Sequence, residues 1–329
     1  MTNLSNPTVK INSRLTSNRN RLEIFISQIP KSHLLFWGKI LGNVLFYLAV
    51  PQRRIVRRNL QFSRLQSSPQ AVKSLSRRIF QHFGITVLEL LQMACFSKQD
   101  LISTVQIKGS KNIVEALNRQ KGIIFISAHL GNYEMAWQFV PCYLEMQMAG
   151  VAKKLRNARL NRLIHGIRTR FGNKIIYKKG ALPEMMQTLR RGAMVAVLMD
   201  ISRRFDGVEV NFFGRRATAT PAAALLGLRC KSPIIPAFCH RTANGTLMVE
   251  IEPPVEMKRT KNLRVDLQTN TQRITDRVER AVRRYPEQWN WMLKRWKDFY
   301  PDLYPESAKR QRRIIQKEKR KRKSHRAIR

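Results

Sequence analysis

The sequence predicts an α/β domain with a central, mostly buried sheet flanked by helices. Short apolar runs alternate along the chain with helical patterns, which is typical of strands that are buried on both faces. Hydrophobic residues make up 43% of the 329 residues and charged residues 25%, an ordinary balance for a globular protein. A chain of this length can bury a full core in one large domain or in two small ones. We predict a single domain over residues 61–305.

The N-terminal part differs from the rest. Residues 1–32 form a polar, basic segment with no apolar stretch followed by a cleavage site, so we expect no signal peptide. Residues 33–50 approach the roughly 20 apolar residues of a membrane-spanning helix but are interrupted by Lys39 and Asn43. Interface-loving aromatic residues and a basic run accompany this stretch: Trp37, Phe46, Tyr47, Arg53, Arg54, Arg57 and Arg58. We predict a membrane-associated helix with a basic flank over residues 33–60; a buried helix of the globular domain is the alternative.

The spacing of apolar residues predicts the remaining elements. Apolar positions recur at helical intervals between residues 67 and 93 and again between 270 and 284, which predicts amphipathic helices. Short apolar runs predict buried strands over residues 122–128, 193–199, 232–238 and 246–251. Residues 306–329 form a basic tail that we expect to be exposed.

The net charge indicates an anionic partner. The chain has 62 Lys and Arg against 21 Asp and Glu, a formal net charge of +41. Residues 309–329 contribute 12 of the basic residues and one acid, so the body is strongly basic without the tail. Anionic lipid, an acidic protein and nucleic acid all fit this charge. The four cysteines show no CxxC pair and no metal-like spacing with histidine, so we expect reduced thiols and no metal site.

One of the six histidines has a setting that indicates chemistry. His129 directly follows the strand-like run 122–128 and opens the sequence HLGNYE, in which Glu134 lies five positions later. On one continuous helix these two side chains would be roughly 140° apart. If instead the strand ends at Ala128, the chain turns at Gly131 and a helix begins after the N-cap Asn132, the carboxylate can reach back to the imidazole.

Such a pair can act as a general base. A carboxylate on Nδ1 fixes the tautomer of the imidazole, so that Nε2 is free to take a proton from an alcohol. The turn at Gly131 and Asn132 would offer backbone N–H groups to a developing oxyanion. The chain has no GxSxG, HExxH, GxxxxGKT or strand-following GxGxxG motif, so it lacks the signatures of several competing chemistries. A structural histidine at a strand end is the alternative.

Several spaced motifs together resemble the late acyltransferases of lipid A biosynthesis. In chain order they are GIIFISAHLGNYEMAW, RTRFG ending at Gly172, VLMD ending at Asp200, VNFFGRRATATPAAALL from Val210 and PEQWNWMLKRWK from Pro286. The similarity extends from about residue 34 to residue 297. It implies a glycerol-phosphate-acyltransferase-like fold and an HxxxxE motif in which His129 is the general base and Glu134 orients it.

The resemblance also implies partners and binding residues. It implies an acyl carrier protein or coenzyme A thioester as donor, a hydroxyl of a lipid A precursor as acceptor, and the cytoplasmic face of the inner membrane as the place of reaction. No cofactor or metal is expected. The family sets basic residues near acceptor phosphates after the catalytic segment. The residues expected to bind substrate are Lys153, Arg168, Arg170, Asp200, Phe213, Gly214 and Arg215.

The chain departs from the family pattern at three places. Asp200 is followed by Ile201 where relatives usually have Gln, and Leu293 stands where a His usually precedes the basic pair. Lys153 replaces an Arg, which exchanges bidentate phosphate recognition for a point charge. Another glycolipid acceptor, such as a mannosylated phosphoinositide, is therefore the alternative within the class.

Two other functional classes have less support in the sequence. A nucleic-acid-binding protein has only the charge in its favour, because no recognition motif is present, so nucleic acid is not an expected partner. A non-catalytic membrane scaffold is disfavoured because the chain has both His129 and Glu134.

Overall fold

The structure, a computed structural model, describes residues 20–155, 157–177 and 180–306. The expectations for most of the polar N-terminal segment and for the basic tail beyond residue 306 lie outside the described residues. The boundaries predicted between the four segments of the chain stay predictions.

Helices and strands alternate along most of the described chain. The helices are α1 (Arg21–Ser27), α2 (Lys31–Leu48), α3 (Val50–Phe62), α4 (Pro69–Met93), α5 (Lys98–Thr104), α6 (Lys111–Leu117), α7 (Tyr133–Leu144), α8 (Ala158–Thr169), α9 (Ala181–Arg190), α10 (Ala222–Cys230) and α11 (Leu263–Arg284). The strands are β1 (Val105–Lys108), β2 (Ile123–Ser127), β3 (Met148–Ala152), β4 (Lys174–Tyr177), β5 (Met194–Leu198), β6 (Val208–Phe212), β7 (Arg215–Ala219), β8 (Ile234–Arg241) and β9 (Leu247–Ile251). Short 3-10 turns lie at Pro286–Gln288 and Pro301–Leu303.

Seven strands form the central sheet in the order β1-β9-β8-β2-β5-β3-β4. Neighbouring strands run parallel except β8 and β9, which pair antiparallel. Strands β6 and β7 form a separate antiparallel hairpin. Because parallel strands need crossover connections, the helices between them cover the faces of the sheet.

The core lies on both faces of this sheet. Alternate residues of a strand point to opposite faces, and β2 shows the division. Ile124 and Ile126 join a hydrophobic cluster with α3, α10 and α11, whereas Ile123 and Phe125 join a second cluster with α5, α6 and α7. β2 is therefore buried on both sides, which explains its uninterrupted apolar sequence.

The predicted α/β class is confirmed, and so are the four predicted strands, which correspond to β2, β5, β8 and β9. The helix predicted over residues 67–93 is α4, and the one predicted over 270–284 is the later part of α11. The sequence pattern does not predict β1, β3, β4 or the hairpin. β1 and β4 are the edge strands, only four residues long, and Lys108 and Lys174 weaken their apolar signal.

The segment predicted as a membrane-associated helix with a basic flank consists of two helices: α2 covers most of residues 33–50, and the basic flank lies on α3. α2 and α3 meet at Ala49 with a bend of 93°, and Pro51 in the first turn of α3 accounts for the break. α2 packs closely on α4 because glycines face each other: a Cβ at Gly84 would lie 2.3 Å from the carbonyl oxygen of Gly38. Among the described helices, none alone has the length and hydropathy to cross a membrane, and the bent pair α2 and α3 reaches them only when taken together.

Candidate active site

The carboxyl ends of two neighbouring strands form the site. β2 and β5 are parallel, with Ser127 paired opposite Leu198. His129 and Asp200 each follow two residues after that pair, so the strand register itself brings them side by side. Open parallel sheets usually bind their ligands at this edge.

Asp200 fixes the position of the His129 imidazole. Its Oδ1 lies 2.9 Å from Nδ1 of His129, and its Oδ2 accepts the backbone N–H of His129 at 2.8 Å. The same Oδ2 accepts the indole N–H of Trp289 at 2.8 Å. Asp200 is fully buried, whereas 15% of the His129 side chain is exposed. Asp200 is thus the partner of His129, which corrects the expectation that it contacts substrate.

The ionisation of the two groups is coupled. Burial alone would lower the pKa of His129, but the charge and hydrogen bond of Asp200 outweigh it, so that the pKa lies above the ordinary value of 6.5. Burial would raise the pKa of Asp200, but His129 and the indole of Trp289 hold it below its usual range. The pair therefore favours a carboxylate beside an imidazole that accepts a proton readily, as a general base requires.

The expectation that Glu134 contacts Nδ1 of His129 is wrong. Glu134 lies in the first turn of α7, but its carboxylate pairs with Arg168 of α8, whose Nε lies 3.0 Å from Oε2 and 3.2 Å from Oε1. Nη2 of Arg168 also contacts Oε1. The physical reason is that Asp200 already occupies Nδ1, while the guanidinium offers the carboxylate a fork of donors. After burial and Asp200, Glu134 is the next influence on the pKa of His129, and its charge raises that pKa.

Gly131 and Asn132 build the predicted turn but do not form an oxyanion hole. Gly131 has φ +55°, and a Cβ there would lie 1.9 Å from the carbonyl oxygen of Cys239, so the position requires glycine. The N–H of Gly131 donates to the carbonyl of Gln288 at 2.8 Å, and that of Asn132 donates to the carbonyl of Cys239 at 3.1 Å. The predicted oxyanion role is wrong for these two groups because their N–H donors are used inside the protein.

A buried polar network holds this turn from behind. Asn132 is the N-cap of α7, as predicted, and its amide also donates to Glu89 of α4 at 2.9 Å. Glu89 accepts Nε of Arg241, the last residue of β8, at 3.1 Å. Burial first, and then the charge of Arg241, lower the pKa of His82 to about 3, so His82 is the neutral neighbour of that arginine. α4 and β8 therefore fix the turn that follows His129.

The PEQWN run of the C-terminal motif lies against the same turn. The backbones of Leu130 and Trp289 pair in an isolated antiparallel β-bridge. Asn290 donates its backbone N–H to the carbonyl of His129 at 2.9 Å. The indole N–H of Trp289 also donates to Asp200, so this one residue contacts both the turn after His129 and the carboxylate beside it. Sequence reasoning assigned no role to Trp289; its place in the motif that begins at Pro286 is the signal that points to it.

Two of the predicted binding residues lie near α8. Lys153 follows β3 at the same edge of the sheet, one strand beyond β5, and lines a cleft of about 590 Å³ together with Arg162 and His165. Arg170 is the C-cap of α8, and its guanidinium contacts the carbonyl of Ala94 at the end of α4. The binding roles of Lys153, Arg170 and Arg168, which lies on α8 itself, stay predictions.

Phe213, Gly214 and Arg215 lie at the turn between β6 and β7. Phe213 has φ +56° and donates its backbone N–H to Glu279 of α11 at 2.5 Å, and Arg215 stacks over the ring of Phe62 with its guanidinium carbon 4.9 Å from the centroid. These contacts attach the hairpin to α11 and α3. Among the described residues, no hydrogen bond, ion pair or ring contact joins these three directly to His129 or Asp200; the ring of Phe213 packs on that of Trp291, which in turn packs on Trp289.

The chemistry that the site offers is proton transfer. Within the described ranges, no group of three or more His, Cys, Asp or Glu side chains is placed to hold a metal ion. The four cysteines all lie in the described part of the chain, and none of them forms a disulfide. The arrangement is a histidine with its orienting carboxylate, an ion pair beside it, and a basic cleft at the same edge of the sheet.

Comparison with known proteins identifies the class. Residues 18–298 match the family model of bacterial lipid A biosynthesis acyltransferases. A lipid A biosynthesis myristoyltransferase of Escherichia coli (strain K12) is 23% identical over 281 residues, which cover 80% of this chain and 84% of that protein. A lipid A biosynthesis lauroyltransferase of the same strain is 22% identical over 285 residues, 83% of this chain and 88% of that protein. A phosphatidylinositol mannoside acyltransferase of Mycobacterium tuberculosis (strain CDC 1551 / Oshkosh) is 22% identical over 198 residues, 58% of this chain and 59% of that protein.

The chain belongs to the bacterial lipid A biosynthesis acyltransferase family, because the family model matches most of its length. It is an acyltransferase, and transfer of an acyl group to a lipid acceptor is the activity that the comparisons support. The resemblance seen in the spaced motifs is confirmed.

Proposed function

We propose that the protein transfers a fatty acyl group from an acyl thioester to a hydroxyl of a lipid A precursor, with His129 as general base and Asp200 as the group that orients it. The observation that carries this proposal is the 2.9 Å contact between Oδ1 of Asp200 and Nδ1 of His129 at the carboxyl edge of the sheet. The donor is the thioester of acyl carrier protein or of coenzyme A.

The acyl group passes directly from the donor to the acceptor, without a covalent acyl-enzyme. Nε2 of His129 takes the proton of the acceptor hydroxyl while its oxygen attacks the thioester carbonyl carbon. The new C–O bond forms, the C–S bond breaks, and the imidazolium returns the proton to the leaving thiolate. Asp200 stabilises the imidazolium between these events. The first amides of α7, at Tyr133 and Glu134, are of the kind that a helix leaves without internal acceptors, and they are candidates to stabilise the oxyanion.

A kinetic experiment tests this mechanism. His129→Ala should lower turnover by about 10² to 10⁴, the usual contribution of a general base, in a protein that still folds. Because the wild-type enzyme forms a ternary complex, varying both substrates should give intersecting lines in double-reciprocal plots. Parallel lines, or an acylated Ser or Cys trapped with donor alone, would instead indicate a covalent acyl-enzyme.

The acceptor is tested on lipids. Mass spectrometry of total lipids from cells with and without the protein should show one added acyl group on a lipid A species, and its mass names the chain. A second candidate acceptor is a mannosylated phosphoinositide, favoured by the similarity to a phosphatidylinositol mannoside acyltransferase and by Lys153 in place of the family's Arg. A mass gain on that lipid alone would replace the first acceptor by the second.

We further propose that α2 rests on a membrane, at the cytoplasmic face of the inner membrane. The side of α2 that faces away from α4 is apolar and exposed: Phe36, Trp37, Ile40, Val44, Tyr47 and Leu48. At 100° per residue these six positions fall within an arc of roughly 120°, the width of an interfacial stripe. Trp37→Glu with Tyr47→Glu should shift the protein from the membrane fraction to the soluble fraction after cell lysis. Unchanged partitioning of this variant would contradict the proposal.

A further inference from the structure

α8 is an amphipathic helix that the protein does not cover. It spans twelve residues, and none of them is buried. Leu160, Leu163, Ile164 and Ile167 follow the spacing i, i+3, i+4, i+7 and form one aliphatic stripe. Ile167 packs against the core, but 48% of Leu160 and 56% of Leu163 are exposed. The stripe is therefore covered at its C-terminal end and open at its N-terminal end.

The segment around α8 carries charge of one sign. Residues 146–183 contain no Asp or Glu and ten basic residues, namely Lys153, Lys154, Arg156, Arg159, Arg162, Arg168, Arg170, Lys174, Lys178 and Lys179. On α8 itself, Arg159 is exposed and stands beside the stripe, four residues and so about one turn before Leu163. An open aliphatic stripe bordered by cations is the pattern of helices that lie at the surface of anionic membranes.

We infer that the N-terminal half of α8 docks on an anionic lipid surface, with Leu160 and Leu163 inserted between the headgroups and Arg159 in contact with lipid phosphates. Docking through α8 deepens the proposed function, on which it rests, because it names the surface through which the enzyme meets a lipid acceptor. An acidic protein would match the charge, but the exposed aliphatic side chains Leu155 and Val151 on the segment before α8 extend the apolar surface and favour lipid.

The other end of α8 is fixed at the active site. The indole N–H of Trp137 donates to the carbonyl of Arg168 at 2.9 Å, and the amide of Gln138 donates to the carbonyl of Ile167 at 2.6 Å. The guanidinium of Arg168 pairs with Glu134, five residues after His129. A membrane on the open half of α8 therefore lies next to the site, so that an acceptor headgroup reaches His129 without leaving the bilayer.

Elements linked to the C-terminal end of α8 also expose apolar side chains. Arg170 joins the end of α8 to the last turn of α4, where Leu91 is exposed. Gln92 of the same turn donates to the carbonyl of Ile29, just after α1, and α1 exposes Phe25. α8, the end of α4 and α1 thus adjoin, and each has an exposed apolar side chain.

Vesicle partitioning of the full-length protein tests the inference. The variant Leu160→Glu with Leu163→Glu is compared with a matched control, Leu263→Glu with Val265→Glu, on α11, where the two side chains are 42% and 43% exposed. Binding is measured to vesicles of phosphatidylcholine with and without phosphatidylglycerol, at lipid concentrations below saturation. Each variant is made in two backgrounds: the wild-type protein, and a protein in which Trp37 and Tyr47 of α2 are already changed to Glu. The α8 variant should lose roughly tenfold or more of its partitioning, and the control should bind as the wild type does.

A charge variant gives an independent readout. Arg159→Gln should weaken binding to the vesicles that contain phosphatidylglycerol by roughly fivefold at low salt, since a cation near an anionic surface contributes on the order of 1 kcal/mol, and should change binding to pure phosphatidylcholine little. The difference should shrink at high salt. Loss of binding to both kinds of vesicle by the same factor would contradict an electrostatic role.

Turnover separates this inference from the proposed function. With detergent-solubilised substrates, both α8 variants should turn over like the wild type, since neither touches His129 or Asp200. Wild-type partitioning of the leucine variant in both backgrounds overturns the inference while leaving acyl transfer intact. A fall in detergent turnover that parallels the fall in partitioning, with the α11 control unaffected, also overturns it and assigns the stripe to substrate binding. An inactive wild-type protein that still needs Leu160 and Leu163 to bind vesicles would contradict the acyl-transfer proposal alone.

Discussion

Two carboxylates stand near His129, and they differ in burial and in partner. Asp200 is completely buried, accepts three hydrogen bonds and touches the imidazole directly. Glu134 keeps 11% of its side chain exposed and is neutralised by Arg168. The first is built as a fixed orienting group, whereas the second ties α7 to α8 and acts on His129 only through its charge.

This difference shows that closeness along the chain does not determine which carboxylate contacts the imidazole. Glu134 is close to His129 in sequence, yet the helix that begins at Tyr133 carries its side chain towards α8. Asp200 is 71 residues away, yet the pairing of β2 with β5 sets it beside the imidazole. Proximity across parallel strands, and not along the chain, decides which carboxylate can orient the base.

The largest effect is expected for Asp200→Asn. The asparagine amide would donate to Nδ1 of His129 and so place the imidazole proton on Nε2, which could no longer accept a proton from the acceptor. We expect turnover to fall by about 10² to 10⁴, measured as kcat with saturating substrates, with KM changing far less.

A matched carboxylate serves as control for this change. Asp298 is half-buried, accepts the hydroxyl of Thr218 at 2.6 Å and has no hydrogen bond to His129. Asp298→Asn should keep turnover within a small factor of the wild type. If the two asparagine variants lose the same activity, Asp200 has no special role and the comparison between the carboxylates fails.

A smaller effect is expected for the ion pair. Glu134→Gln or Arg168→Gln breaks a pair that is mostly buried and loosens the attachment of α8 to α7, so we expect turnover to fall by roughly tenfold to hundredfold through misplacement of the site. The double variant should lose little more than either single variant, because both remove the same interaction. Fully additive losses, measured in a double-mutant cycle, would mean that Glu134 and Arg168 act separately, for example with one of them on the substrate.

The smallest effects are shifts in the pH profile. His129 must be neutral to act as base, and its pKa is raised, so kcat/KM should rise with pH through a midpoint above 6.5. Asp200→Asn removes the charge that raises this pKa, and the rising limb should move to lower pH. Glu134→Gln should move it in the same direction by less, and Arg168→Gln should move it to higher pH, because the arginine lowers the pKa.

The directions of these pH-profile shifts distinguish the role of Asp200 from that of Glu134. An unmoved limb in the Asp200 variant, with the Glu134 variant displaced instead, would restore Glu134 as the orienting group. Equal shifts in both variants would mean that the two carboxylates act on His129 by charge alone.

The motifs predicted the base but not its surroundings. His129, the glycine turn at Gly131 and the N-cap at Asn132 follow from local rules: a strand end, a positive φ and a helix start. The partners of these groups come from four distant places, namely Asp200 after β5, Glu89 on α4, Arg241 at the end of β8 and the run 286–290. No spacing rule links those segments, because their contacts exist only once the sheet order is fixed.

By itself, the sequence determined the α/β class, the buried strands and the family, and it indicated His129 as the candidate base, since apolar periodicity and short motifs are local properties of the chain. Only the tertiary structure decided that Asp200 orients His129, that Glu134 pairs with Arg168, that the N–H groups of Gly131 and Asn132 are already bonded, and that the stripe of α8 is left open. Each of these depends on strand register and on helix packing. Such contacts form between residues far apart in sequence, and a local pattern of side chains carries no information about which strands become neighbours.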